Sequence, residues 1–316
     1  MATYYHRAAH VPEVDLRPPD PSCPICGHTE RIPRYELQSE PEVLLLGCPR
    51  CHVASASRMP TEEALDRLYG CYYAGDPNPG GSCTFDDPER LGRAIAREYS
   101  PRVDRDPSLR VLDFGGGDGT IAAKVVQALA HAYPGGGEVT LVDASGTPPT
   151  DAEGVRFSVH RTIADAPERE FDLVIASAVL EHIPYPRPVL LSLLEALGGG
   201  GLFYARTPFM LPLARCMPTR RIGRELLCYP YHVHDMGDRF WDGVLEVLGM
   251  AGEYHVRRSR PSIVEQTMRR HPVRAAAARL LKAGRRLFGP HYRLVGGWEV
   301  FVERDHGEMP AGGDRR

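Results

Sequence analysis

The sequence has no long apolar run. Nothing in its 316 residues approaches the roughly 18 consecutive apolar residues of a membrane-spanning helix, so neither a span nor a membrane partner is expected. An export signal is also lacking, because Met1 to Asp20 carries charges and prolines where such a signal needs an apolar stretch. The default compartment is therefore the cytoplasm. Thiols stay reduced there, so the eight cysteines point to metal ligands or buried thiols rather than disulfides. An excess of one charge is missing too: the formal net charge of −3 gives no whole-protein attraction for nucleic acid, and any such signal must be local. What is present is ordinary for a globular chain. With 42% hydrophobic and 25% charged residues, one large α/β domain plus something small is within reach.

Along the chain, residues 1–20 are polar and proline-bearing, which predicts a flexible tail. Two Cys-x-x-Cys pairs follow within 21–58. Residues 59–100 read as a helical linker region, with a helix over Thr61–Tyr69 and a Gly- and Pro-rich stretch at 74–88. From Arg110, apolar strand patterns alternate with helical ones. Strands are predicted at 110–114, 138–143, 155–159, 171–176, 200–206, 253–258 and 298–304, and helices at 119–131, 187–197 and 238–249. That alternation predicts a mostly parallel sheet with helices on both faces, spanning 101–305. Residues 261–290 read as extra basic helices inserted before the last strand, and 306–316 as a disordered tail.

The first strand runs into Gly115-Gly116-Gly117-Asp118-Gly119-Thr120. Glycines there let a ligand approach the main chain and the helix N-terminus. The dinucleotide spacing Gly-x-Gly-x-x-Gly is absent, since Thr120 occupies its last position. Asp113 stands two residues before the first glycine. The next strand ends in Asp143, a carboxylate placed to accept both hydroxyls of a ribose. Together with Phe171 to Ile183 and Gly198 to Phe209, these segments resemble, in order, the motifs of class I S-adenosylmethionine-dependent methyltransferases. The resemblance implies an α/β fold with a Rossmann-like seven-stranded sheet and S-adenosylmethionine as cofactor. It implies that Asp113, Gly115, Gly117 and Gly119 contact the methionine and ribose ends. Asp143 would hold the ribose diol, Ser177 would lie near the methionine portion, and Asp165 would meet the adenine amine.

Cys23-x-x-Cys26 and Cys48-x-x-Cys51, separated by 21 residues, have the spacing of two knuckles that complete a tetrahedral zinc shell. Four protein ligands close the coordination, so a structural Zn²⁺ is expected, and it would supply much of the folding free energy of so short a segment. Cys71, Cys83, Cys216 and Cys228 have no ligand spacing. The ribbon, with Met59–Leu65 and Leu68–Tyr73, resembles a bacterial group of zinc-ribbon methyltransferases acting on sugars and natural products. The chain departs from the sugar C-methyltransferases of that group by lacking their long additional C-terminal domain, so their substrate is not implied.

Methyl transfer to an O–H or an acidic C–H needs a base beside the nucleophile. Glu181 and His182 follow the fourth strand, where open α/β sheets bind ligands. His182 is the preferred base, with His232 and His234 lining the substrate pocket; His232-x-His234 also has a metal spacing. From Arg257 to Arg293 there are eleven Lys or Arg and one acid, a concentrated basic segment. It would dock an acidic carrier, a nucleotide-linked substrate or RNA. The favoured partner is a small-molecule substrate, carrier-bound or nucleotide-linked. The rivals are an RNA methyltransferase and a non-catalytic module that binds zinc and adenosine.

Overall fold

A computed structural model describes residues 8–74, 85–99, 107–145, 147–167 and 170–306. In chain order the elements are β1 (Ile32–Gln38), β2 (Val43–Gly47), β3 (Ala54–Ala56), α1 (Glu62–Ala74), α2 (Pro88–Ala96), β4 (Leu109–Phe114), α3 (Thr120–Ala128), β5 (Gly137–Val142), β6 (Val155–His160), β7 (Phe171–Ser177), α4 (Pro186–Glu195), β8 (Leu197–Thr207), α5 (Leu211–Arg215), α6 (Arg220–Leu227), β9 (His234–Asp235), α7 (Asp238–Leu248), β10 (Tyr254–Pro261), α8 (Pro272–Phe288) and β11 (Trp298–Arg304).

Seven strands form the main sheet in the order β10-β11-β8-β7-β4-β5-β6. All run in one direction except β11, which is antiparallel to both neighbours. The central strands are buried on both faces, which is why Leu173, Val174, Ile175 and Ala176 form an unbroken apolar run. The order reverses at β4, where β5 lies on one side and β7 on the other. A crevice opens at the carboxyl ends of the strands at such a switch point, and the glycine loop leaves β4 there.

The ribbon is a second sheet, β1-β2-β3-β9, and its fourth strand comes from far along the chain, beyond β8 of the main sheet. Ser55 pairs with His234 and Ala54 with Asp235. One face of this sheet packs Leu37, Val43 and Leu45 with Ala214, Leu227, Tyr229 and Val233. The cysteine knuckles join the main core, where Ile25 and Val53 share a cluster with Leu190, Phe240 and Trp241. The ribbon is thus built into the main domain on two sides.

Three boundaries differ from the sequence expectation. The tail predicted for 1–20 is tied down from residue 8 onward. Val11 and Leu16 are buried, Gln38 exchanges side-chain hydrogen bonds with the Val11 backbone, and Glu13 forms a two-pronged ion pair with Arg58. In the predicted linker region, Phe85, Leu91 and Ile95 are buried against Val111, Val125 and Leu173, so α2 belongs to the core of the main domain. The predicted insert is one helix, α8, preceded by a loop. Most of the Gly- and Pro-rich stretch at 74–88, and the tail from 307, lie outside the described residues.

Candidate functional site

A cavity of about 730 Å³ opens where the sheet order reverses. That volume falls within the range of small-molecule sites, about 300–1,000 Å³. Its floor is the glycine loop. Gly115 donates to the carbonyl of Val142 (2.8 Å), fastening the loop to the end of β5. Gly117 sits at φ +61, and a Cβ added there would meet nothing within 4 Å, so its backbone lies open to a ligand. Gly119 starts α3 at φ +71 and packs against Phe157; unlike Gly115 and Gly117, it does not line the cavity.

Asp143 follows β5 and is held from two sides. Gly117 N donates to its Oδ2 and Ser145 N to its Oδ1, each at 2.8 Å. A carboxylate oxygen accepts more than one hydrogen bond, so both oxygens keep capacity for a diol. Asp113 lies beneath the loop, 1% exposed, and its Oδ2 has no hydrogen-bond partner. Burial, reinforced by Asp143 and Asp118, pushes its carboxyl up to about 7. An orphaned, desolvated carboxylate on a cavity wall is a receptor for a cationic donor such as the ammonium of an amino acid. The two acids and the open glycine backbone therefore fit an adenosine joined to an amino acid. Ser177 lines the same cavity and accepts from Arg206 Nε at 3.2 Å, whereas Asp165 is exposed, bonded to Thr162 and outside it.

Glu181 and His182, in the 3-10 turn after β7, also line the cavity, and His232 reaches them from the segment before β9. The ligand atoms of these three side chains lie within 4.8 Å of one another, a group able to relay a proton or hold a cation. His182 Nδ1 lies 2.9 Å from the Tyr231 carbonyl oxygen and 2.9 Å from the Tyr69 hydroxyl. A carbonyl only accepts, so the bond to Tyr231 is made by the tautomer with the proton on Nδ1, in which Nε2 is the basic nitrogen. Nε2 stands 3.8 Å from Glu181 Oε1. Glu181 is 1% exposed with Oε2 unpartnered, and burial raises its carboxyl to about 8.

His234 does not line this cavity. It is 2% exposed, with Nδ1 at 2.8 Å from Ser55 Oγ and Nε2 at 2.8 Å from the Ile183 carbonyl. Burial lowers its pKa to about 4, so it is a neutral strut between the ribbon and the Glu181 loop. Tyr69 and Arg206 enter the site without having been singled out for it. Arg206 is a cavity-lining cation, paired with Glu265 at 2.5 Å. A charged residue ending the apolar run Leu202–Ala205 was the available signal.

The four expected metal ligands converge. Cys23 and Cys51 Sγ are 3.5 Å apart, as are Cys26 and Cys48, and all four lie within 4.8 Å. Thiolates at about 2.3 Å from a tetrahedral zinc stand about 3.8 Å from each other, so the set fits that ion. Each knuckle closes through a positive-φ residue, Gly27 at +71 and His52 at +62, whose amides donate to Cys23 O and Cys48 O. Cys216 is exposed and Cys228 buried, and neither joins the cluster.

Six of the eleven basic residues counted between 257 and 293 are engaged. Arg257, Arg258, Arg260 and Arg293 pair with Glu303, Glu98, Glu299 and Asp238. Lys282 donates to Ser262, and Arg285 stacks over Trp298 at 4.6 Å. The basic surface is accordingly smaller than the sequence implied.

No curated protein matches this chain in sequence. Among solved structures, the plantazolicin methyltransferase BamL, in complex with a triazolic desmethylPZN analog and SAH, is 13% identical, covering 77% of this chain and 96% of its own at TM-score 0.49. The [4+2]-cyclase SpnF is 17% identical over 77% of this chain and 93% of its own, TM-score 0.41. An S-adenosylmethionine-dependent methyltransferase from Mesorhizobium loti is 18% identical over 68% and 98%, TM-score 0.41. The family profile described as methyltransferase domain matches residues 85–246, just over half of the chain. It begins at Phe85, where the buried α2 layer begins, and takes in the glycine loop, Asp143 and the Glu181–His182 turn. This chain belongs to the methyltransferase domain family.

Proposed function

We propose that this protein binds S-adenosylmethionine in the cavity at the β4 switch point and methylates a small acceptor, with Glu181, His182 and His232 handling the acceptor's proton. The observation that carries this reading is the shared cavity: the glycine loop, Asp113 and Asp143 line it together with Glu181, His182 and His232. Asp143 holds the ribose diol, Gly115 and Gly117 offer backbone, and Asp113 and Ser177 serve the methionine end. When bound, the cofactor supplies an electrophilic methyl group on a sulfonium. The chain holds the acceptor in line with it and excludes water. His182 Nε2 takes the proton, and the Tyr231 carbonyl steadies the resulting imidazolium through Nδ1–H. Neutral Glu181 adds no competing charge at the start.

The acceptor class that fits is a small metabolite, a sugar, or a nucleotide-linked or carrier-bound natural-product intermediate. The four thiolates take a structural zinc and leave no open position for substrate. RNA as substrate loses support because six of the eleven basic side chains of the 257–293 segment are spent on internal contacts. Isothermal calorimetry with S-adenosylhomocysteine tests the reading: binding is expected, with Asp143→Ala weakening it by about 1–3 kcal/mol. A protein that takes up NADH and gives no heat with S-adenosylhomocysteine would refute it. Binding without turnover of any acceptor would leave the non-catalytic alternative standing.

A further inference from the structure

Helix α8 carries a feature that methyl transfer does not use. Its inner side is fixed: Ala275 is buried, Lys282 Nζ donates to Ser262 O at 2.6 Å and to Ser262 Oγ at 2.8 Å, and Arg285 lies over Trp298. On the outer side Val273, Leu280 and Leu287 are 80%, 74% and 76% exposed, followed by Phe288 at 71%. Residues seven apart drift by only about 20° around a helix, so the three aliphatics form one line along its axis. Exposed Ala276 and Ala277 fill the gaps between them. From Val273 to Leu287 that line runs about 21 Å along the 17-residue helix. A monomeric soluble surface does not ordinarily carry three such side chains in one row with an exposed aromatic beside its end.

The exposed charges that the helix and the residues just before it carry are of one sign, the nearby acids Asp86 and Asp238 facing His271 and Arg285. Arg269, Arg270, Arg279 and Arg286 are exposed, and none of them is ion-paired among the described residues. Arg279 and Arg286 project about 100° from the stripe on one flank, and Arg274 on the other. The helix itself contains no acid. Two copies meeting along this stripe would set arginine against arginine, so the helix is not built for itself.

We propose that α8 is an interfacial helix, docking this protein on an anionic lipid surface with Val273, Leu280, Leu287 and Phe288 in the acyl boundary and the flanking arginines at the headgroups. A basic amphipathic helix with exposed aliphatics has the design of a peripheral anchor. The expectation of no membrane partner rested on the absence of a spanning run, which an interfacial helix does not need. The helix also lies beside the cavity: Ser262, Glu265, Gly296 and Gly297, just before and after it in the chain, line the wall. Docking would thus hold the cavity near the lipid surface. The inference does not rest on methyl transfer.

The test is flotation of the full-length protein with vesicles of phosphatidylcholine alone and of phosphatidylcholine mixed with phosphatidylglycerol. Binding is expected on the mixed vesicles, weakening as salt rises. Leu280→Asp with Leu287→Asp should reduce it about ten-fold or more, and Arg279→Glu with Arg286→Glu should reduce it and flatten its salt dependence. All four positions are exposed, and circular dichroism and binding of S-adenosylhomocysteine report whether each variant keeps its fold. Wild-type protein that fails to float with mixed vesicles would overturn the proposal. So would a dimer in light scattering that Leu280→Asp dissolves while vesicle binding is nil, since the stripe would then serve a second copy. Flotation equal in the wild type and both double variants would place the contact elsewhere and equally overturn it.

Discussion

Replacing Asp113 with Asn separates what this residue contributes to function from what it costs the fold. Its carboxyl is fully buried under the glycine loop, its Oδ2 has no partner, and desolvation moves its pKa from 3.8 to about 7. That displacement corresponds to ~4 kcal/mol of preference for the neutral form in the folded state. The sign follows from linkage. A carboxyl whose folded pKa is raised contributes stability that is fully present below its unfolded pKa near 4, and that is lost as pH rises through about 7. At pH 8 the cofactor-free wild type carries the whole penalty, whereas Asn, which has the same shape and does not ionise, carries none. Urea unfolding at pH 5 and pH 8, without cofactor, should show Asp113→Asn stabilised relative to wild type by a few kcal/mol more at pH 8 than at pH 5. Calorimetry should show the opposite for the ligand. Loss of the charge that meets the methionine ammonium should weaken S-adenosylhomocysteine by about 1.5–3 kcal/mol, about 10- to 100-fold. If the variant gains nothing at pH 8, Asp113 is not a desolvated carboxylate, and its role as the receptor for that ammonium fails with it.

Purified protein should contain one zinc per chain by metal analysis, and Cys26→Ser should lower it; a folded, zinc-free protein would refute the ribbon. Once an acceptor is in hand, His182→Ala should reduce kcat by about 10²–10⁴-fold while S-adenosylhomocysteine binding barely changes. Steady-state kinetics within a few-fold of wild type would move the proton to another group or remove the need for a base.

Much of the main sheet was legible because its signals are local. The apolar runs at Val111–Leu112 and Leu173–Ala176, and the glycines after Phe114, place strands and the binding loop within a residue or two, since a doubly covered strand must be continuously apolar. The cysteine cluster was legible through spacing alone. What stayed hidden depends on partners far away in the chain. His232-Val233-His234-Asp235 carries no strand pattern, and His234–Asp235 becomes β9 because Ser55 and Ala54 lie opposite. Tyr69 meets His182 across 113 residues, and no local rule pairs them. The basic segment looked like open positive surface because Glu98, Glu299 and Glu303, which pair with Arg257, Arg258 and Arg260, come from just after α2 and from β11. Residues 8–20 looked loose because Gln38, which anchors Val11, lies 27 residues on, at the end of β1.

The strand exchange at Ala54–Asp235 gives this chain an order of assembly. During synthesis, β1, β2 and β3 emerge some 180 residues before the strand that completes them, so β3 waits as an exposed edge while most of the catalytic body is made. An unpaired edge is a site for mispairing, and β3 manages it by being three residues long and made of Ala-Ser-Ala. Metal captured early by the knuckles would hold that edge in register until His234 arrives. The segment that completes the ribbon also supports the Glu181 carbonyl, to which Val233 N donates at 2.9 Å. Completion of the ribbon and support of the Glu181 turn therefore depend on the same short segment, Val233 to Asp235.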